Sequence, residues 1–334
     1  MSTGLSRRSL IASGCAATLA SCGGVVSDTR LLRSADAHPD GYPTVEAVRH
    51  LGQVLEERSG GRLAIKLYSG GQMGEERDTL ELTLLGGIDL NRVSLAPMNT
   101  IVPETRVPGL PFLFRSAAHM RAALDGPPGR QILASLGAHG LIGLAFYDAG
   151  ERSFYTKSRE IRTPQDMRGL KIRVQNSDVF VSLMSALGAN ATPMPYGEVY
   201  QALLQGVVDG AENNWPSYES SRHFEAAPVF SLSRHVMLPE VLVISARRWS
   251  RLREEDQELI QAAAAESVPY MRALWDAREK ESESRLRAAG VTIVEDVDTA
   301  AFQAQVQPVW DRFLDTPALR RLSEDILNIG DAHG

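Results

Sequence analysis

The stretch from Glu254 to Ala289 contains no glycine and is rich in Ala, Glu, Arg and Leu, a composition that predicts one very long helix. A helix of about 35 residues is roughly 50 Å long, longer than one small domain, so it is expected to span two. Pro269 lies inside it and is expected to bend the helix or divide it, because proline removes a backbone donor and crowds the preceding turn. The chain length of 334 residues fits the same reading, at roughly 100–200 residues per domain.

From residue 34 onward, strand and helix patterns alternate. Leu63, Ile65 and Leu67 alternate as a strand, as do Ile172 and Val174 within 171–175. The runs 141–147 and 241–245 are apolar enough to be buried parallel strands. Thr44 is expected to cap a helix whose Val45, Val48, Leu51 and Leu55 form one face, ending near Gly60-Gly61. Ser177 opens another helix that stops at Gly188, and the segment 195–205 ends at Gly206. The fold class expected is therefore α/β with open β-sheets flanked by helices.

The first 21 residues stand apart. Ser6-Arg7-Arg8-Ser9-Leu10 is a twin-arginine-like start, and an apolar run of small residues follows from Leu10 to Ser21. That run is shorter than the ~20 residues that span a bilayer and reads as an export signal. Leu19-Ala20-Ser21-Cys22 resembles the lipobox of bacterial lipoproteins, in which cleavage leaves Cys22 as a lipid-bearing N-terminus; the alternative is a simple signal in which Cys22 plays no part. Removal of 1–21 takes away Arg7 and Arg8 and no acid, so the charge of −6 becomes −8. Cys15 leaves with the signal, and no intrachain disulfide is then expected. The expected location is the periplasm, with a tether through Cys22 if it is lipidated. The acidic balance argues against a nucleic-acid partner.

The usual catalytic signatures, GxSxG, HExxH, CxxC, a P-loop and GxGxxG, do not occur. Gly70-Gly71-Gln72-Met73-Gly74 reads as a turn after a strand, and the seven histidines lack metal-ligand spacing. What stands out is a pattern suited to an anion. Arg173 lies inside a strand and points opposite to Ile172 and Val174, where a buried guanidinium needs a partner. That partner is either an internal carboxylate or a ligand. Arg152 follows an apolar strand and the Gly150 turn, at a strand exit where α/β clefts bind ligands.

Five segments, in order, resemble one family: Gly87-Ile88-Asp89, Leu110-Pro111-Phe112-Leu113-Phe114, 169–174, 193–200 and 206–214. These are similar to the periplasmic solute-binding subunits of tripartite ATP-independent periplasmic (TRAP) transporters, the DctP family, over about residues 34–325. The resemblance implies a two-lobed periplasmic binding protein, with 28–150 and 240–280 in lobe I and 151–239 and 281–334 in lobe II. It implies a monomer that binds an organic acid and hands it to membrane permease subunits, with no cofactor and no enzymatic turnover. It also implies that Arg173 pairs with the ligand carboxylate, that Arg152 assists, and that Asn213 donates to the same carboxylate. Further candidates are Glu76 (or Glu75 in its place) toward ligand polar groups, His38 before the first helix, Asn176 as a contact or a helix cap, and Tyr196 and Trp215 as walls. His223 and His235 read as structural.

The segments 38–44, 147–155 and 213–218 look like the branch associated with hexuronates such as glucuronate and galacturonate. A sugar acid needs one carboxylate clamp and several hydroxyl partners, which His38, Glu76, Asn176 and Asn213 could supply. A C4-dicarboxylate is the alternative, but it would ask for positive charge at both ends of the pocket. A ligand-presenting sensor subunit would share the fold.

Overall fold

The computed structural model describes residues 30–330; the export signal and Cys22 lie outside the described residues. Eleven strands can be followed among them: β1 (Arg30–Ala35), β2 (Leu63–Tyr68), β3 (Leu90–Ser94), β4 (Leu141–Tyr147), β5 (Glu151–Thr156), β6 (Lys171–Val174), β7 (Asn190–Pro193), β8 (Gly210–Asn213), β9 (Val229–Met237), β10 (Glu240–Ser245) and β11 (Thr292–Val294). They form two sheets, one ordered β2-β1-β3-β10-β4 and the other β11-β9-β5-β8-β6-β7. Helices flank both, as the alternating pattern predicts.

The parallel strands β1, β2 and β3 are followed by returns through helices, Pro43–Arg58 after β1 and Glu76–Leu85 after β2. The expectation of parallel strands at 141–147 and 241–245 is corrected: β10 runs antiparallel to both β3 and β4. The reason is topological. The chain leaves the first sheet after β4, builds most of the second, and returns from β9 through Leu238 and Pro239, so β10 enters from the opposite end. Thr44 is also corrected. It lies inside the first turn of helix 43–58, and its hydroxyl donates to Asp36 instead of capping.

The two sheets are joined by the turn at 148–150, by 238–239, and by the helix Glu254–Ala288. That helix is a single element through Pro269, so the proline does not divide it. Ile260, Ala263, Ala264, Met271 and Trp275 belong to the core of the first sheet, with Leu32, Val48 and Ile244. Leu286 belongs to a separate core with Tyr155, Ala211 and Phe230 of the second sheet. One helix therefore contributes to the packing of both halves, and its length of about 50 Å is what makes this geometrically possible. The final helix, Pro317–Leu327, packs over the helix Pro127–Ser135 and the segment 103–109 beside the first sheet. Among the described residues no helix is long and apolar enough to cross a membrane.

Gly150 is the residue in the 148–150 turn that must be glycine. Its φ is +60°, and a β-carbon there would meet Glu279 at 2.7 Å and Trp275 at 3.0 Å. The turn between the sheets thus rests directly on the long helix.

Candidate functional site

The carboxyl ends of β1, β3, β6 and β8, and the amino ends of the antiparallel strands β5 and β10, converge on one cavity of about 250 Å³ between the sheets. Ligands in open α/β sheets bind outside such strand ends, where the loops splay apart. Arg152, Arg173, Asn213, Glu76, His38, Asn176 and Tyr196 all line it, as do Glu75 and Glu240. Trp215 does not. It begins the helix Trp215–Ser220, its ring stacks on Phe230 at 4.3 Å, and it faces a second cavity bordered by Trp275 and Glu279.

Arg173 sits third in β6, with its neighbours Ile172 and Val174 turned into the opposite core. The residue is only 2% exposed. Its Nε and Nη2 donate to the Met194 carbonyl at 3.0 and 2.8 Å, and its Nη1 is buried without a partner. Among the described residues no carboxylate pairs with it. Burial and the nearby Arg152 push its pKa below the usual arginine range, the opposite of what an ion pair does. An internal salt bridge is therefore not the role of this arginine.

Arg152 behaves differently. Its Nε and Nη2 grip the Glu212 carboxylate at 2.5 and 2.8 Å, and Nη1 donates to Asn213 Oδ1 at 2.8 Å. Burial notwithstanding, this pairing raises the Arg152 pKa and lowers that of Glu212. Its charge is neutralised within the protein, and at the cavity edge its Nη1 holds Asn213. The Asn213 Oδ1 also accepts from the Asn214 N–H at 2.9 Å, which leaves Nδ2 as the group free to donate. Asn176 is half-buried and does not cap the following helix; Ser177 does, accepting from the Val179 N–H at 3.2 Å. The Asn176 amide is thus left for the cavity.

The facing wall, from the first sheet, is acidic. Glu76 starts helix 76–85 and accepts at one oxygen, Oε1, from Arg92 Nη1 at 2.7 Å and from the Ser94 N–H at 3.0 Å. Glu240 accepts from the same Arg92 nitrogen at 2.7 Å. Arg92 directs its other nitrogens to Asp36, one of them at 2.9 Å. His38 stacks on Tyr42 at 3.8 Å and brings Nε2 to 3.6 Å from Glu240. Tyr196 stands edge-on to His38 and donates its hydroxyl to the Ser217 carbonyl at 2.9 Å. Glu75 reaches across the mouth of the cavity toward Gly197.

Arg92, Asp36, Glu240 and Glu212 are absent from the residues that the sequence singles out. Arg92 had a usable signal, because it is an arginine inside the strand 90–94, as Arg173 is inside 171–174. His223 and His235 pack structurally: a hydrogen bond of 2.7 Å joins His223 Nδ1 and the Tyr155 hydroxyl, and His235 stacks on Phe154 at 4.0 Å. Among the described residues no group of His, Cys, Asp or Glu could hold a metal ion.

The sequence matches the family model described as bacterial extracellular solute-binding protein, family 7, over residues 34–316. A solute-binding protein of Chromohalobacter salexigens is 40% identical over 295 residues, covering 88% of each chain. Among solved structures, a TRAP periplasmic solute-binding protein of Xanthobacter autotrophicus Py2 with bound β-D-galacturonate is 49% identical, with a TM-score of 0.88 over 90% of this chain and 100% of that one. One from Roseobacter denitrificans with bound β-D-glucuronate is 40% identical, with a TM-score of 0.88 and the same coverage.

Proposed function

The chain belongs to the DctP family of bacterial extracellular solute-binding proteins, family 7, and from that membership we propose that it binds a hexuronate, D-galacturonate or D-glucuronate, and delivers it to the membrane permease subunits of a TRAP transporter. It is a binding protein of this family and not an enzyme. The observation that carries the ligand assignment is Arg173, a buried guanidinium with no carboxylate partner among the described residues, facing a wall on which Glu76 and Glu240 stand. A ligand with one carboxylate and a neutral, hydroxyl-bearing remainder satisfies both ends. A neutral sugar leaves the desolvated Arg173 unpaired, and a dicarboxylate brings its second charge against the acids. The bound galacturonate and glucuronate in the two solved structures support the same reading.

In this reading Arg173 takes the carboxylate, while Asn213, held by Arg152, and Asn176, His38 and Glu76 meet the remaining polar groups, with Tyr196 as a wall. Two lobes, 28–150 with 240–280 and 151–239 with 281–334, close on the ligand, the last helix reaching back over the first lobe. The protein is exported to the periplasm as a monomer, with a tether through Cys22 if the segment 19–22 serves as a lipobox. Titration calorimetry with D-galacturonate, D-glucuronate, D-glucose and succinate tests the ligand. A uronate should bind at least tenfold more tightly than succinate, a difference of about 1.4 kcal/mol, and glucose should hardly bind. Tighter binding of succinate would overturn the hexuronate assignment.

A further inference from the structure

Where the first sheet borders the cavity, one cation faces three carboxylates. Arg92 is 1% exposed, and its Nη1 donates to both Glu76 Oε1 and Glu240 Oε2, each at 2.7 Å, while Nε and Nη2 are taken by Asp36. Two carboxylates that meet on a single nitrogen, away from water, repel each other strongly when both are ionised, and such a pair titrates in two separated steps. The surroundings are not symmetric. Glu240 has Arg92 on one oxygen and His38 Nε2 at 3.6 Å from the other. Glu76 receives both of its protein donors on Oε1, so Oε2 is left toward the cavity.

We propose that Glu76 and Glu240 share a single proton, carried on Glu76 Oε2, so that this wall offers a sugar one O–H donor and one anionic acceptor, with Arg92 as the positioning residue that sets the pair. The inference deepens the hexuronate reading and rests on it. Burial and the adjacent Glu240 raise the Glu76 carboxyl despite Arg92, whereas Glu240, against the effect of burial, is held low by Arg92 and His38. The other groups that face the pair are Asp36 and His38 from the end of β1, Tyr42 at the start of helix 43–58, and Tyr196 with the two arginines across the cavity. On its own helix, Glu75, Arg77 and Asp78 also border the cavity. Loss of the proton adds a negative charge opposite an anionic ligand and removes the donor that an acceptor-only ring oxygen requires.

Affinity for D-galacturonate, measured by calorimetry from about pH 5 to pH 9 in buffers of differing ionisation heat, tests the proposal. Wild-type Kd should rise above the upper titration of the pair toward a limit of about tenfold per pH unit, with up to one proton taken up per ligand bound. Glu76→Gln removes the titrating group and keeps a permanent donor, so the dependence of its Kd on pH should be lost, whatever its affinity at the acid end. Glu240→Gln removes the anionic acceptor and should weaken binding at least tenfold or so at every pH. A flat wild-type profile, or a slope that persists in Glu76→Gln, overturns the proposal. If neither D-galacturonate nor D-glucuronate binds at any pH, the hexuronate reading falls. Infrared difference spectroscopy of the ligand-free protein still decides the proton in that case: a protonated-carboxyl band that E76Q lacks supports it, and no such band overturns it.

Discussion

Replacing Arg173 by lysine keeps the charge and removes the fork. In the structure Nε and Nη2 of Arg173 are engaged by the Met194 carbonyl, so a ligand carboxylate meets the outer edge formed by Nη1 and the second hydrogen of Nη2. An ammonium in the same place can satisfy the Met194 carbonyl or the full carboxylate, but it lacks the planar geometry to do both. The loss is at least one hydrogen bond between charged groups, worth about 1.5–3 kcal/mol, which corresponds to a Kd roughly 10- to 150-fold higher. The fold should survive, because among the described residues Arg173 has no ion pair to break. Thermal unfolding then gives an independent reading. At a uronate concentration of 100 times the wild-type Kd, ligand stabilises wild type by about 2.7 kcal/mol, and a variant weakened tenfold by only about 1.4 kcal/mol. Unchanged Kd for Arg173→Lys by calorimetry, with the ligand-free melting midpoint also unchanged, would refute the carboxylate clamp.

Other outcomes follow from the same geometry. Glu212→Gln breaks the buried pair with Arg152 and leaves its guanidinium uncompensated, so it should cost about 3–5 kcal/mol of stability in denaturant titration, far more than Arg173→Lys. Trp215→Phe should leave uronate affinity within about twofold, since the ring packs on Phe230 and faces the second cavity; a loss of tenfold or more would return Trp215 to the ligand site. His223 is held neutral, with burial and then Arg173 lowering its pKa to about 3. Its unfolded-state value is near 6.5, so its contribution to stability is present above that pH and is lost as pH falls toward 3, and His223→Gln should flatten this part of the acid-denaturation curve. From the sequence alone, if the segment 19–22 serves as a lipobox, intact-mass analysis of protein from membranes should find acyl mass on Cys22; an unmodified N-terminus, or cleavage elsewhere, would leave a free periplasmic protein.

Much of the fold was legible because its signals are local and repeated. Strand alternation at Leu63–Leu67, the helix stop at Gly188 and the glycine-free run at 254–289 each report on the backbone in place. The direction of β10 was not, since a run of apolar residues looks the same from either end and its orientation is set by a return from a distant sheet. In the site, an arginine inside a strand flags a buried charge, but sequence does not say which carboxylate neutralises it. Arg152 finds Glu212 sixty residues away, Arg92 finds Glu240 148 residues away, and Arg173 finds none among the described residues. Trp215 follows Asn213 and Asn214 so closely that it reads as part of the same wall. The intervening Asn214, which caps the next helix by accepting from the Ser217 N–H, turns the chain and sends the indole to the other side.

The pairing of these charges also explains how a single ligand could hold two halves together. The acidic wall is carried by the ends of β1, β3 and β10 with the helix 76–85, all attached to the first sheet, and the unpaired cation is carried by β6 of the second. Beside the cavity, three side-chain hydrogen bonds join the two sides through neutral groups: Tyr42 with the Ser217 hydroxyl at 2.8 Å, Ser94 to Gln175 at 3.0 Å, and Ser177 to Asn99 at 3.0 Å. Neutral hydrogen bonds between groups that water can also solvate contribute only about 0.5–1.5 kcal/mol each. A molecule with a carboxylate for Arg173 and hydroxyls for Glu76 and Glu240 replaces that weak seam with charge-assisted bonds to both sheets at once. A ligand that satisfies one wall alone would occupy the cavity without joining its sides. Selectivity for a sugar acid and the joining of the two sheets therefore draw on the same arrangement, a lone guanidinium on one side and an arginine already surrounded by acids on the other.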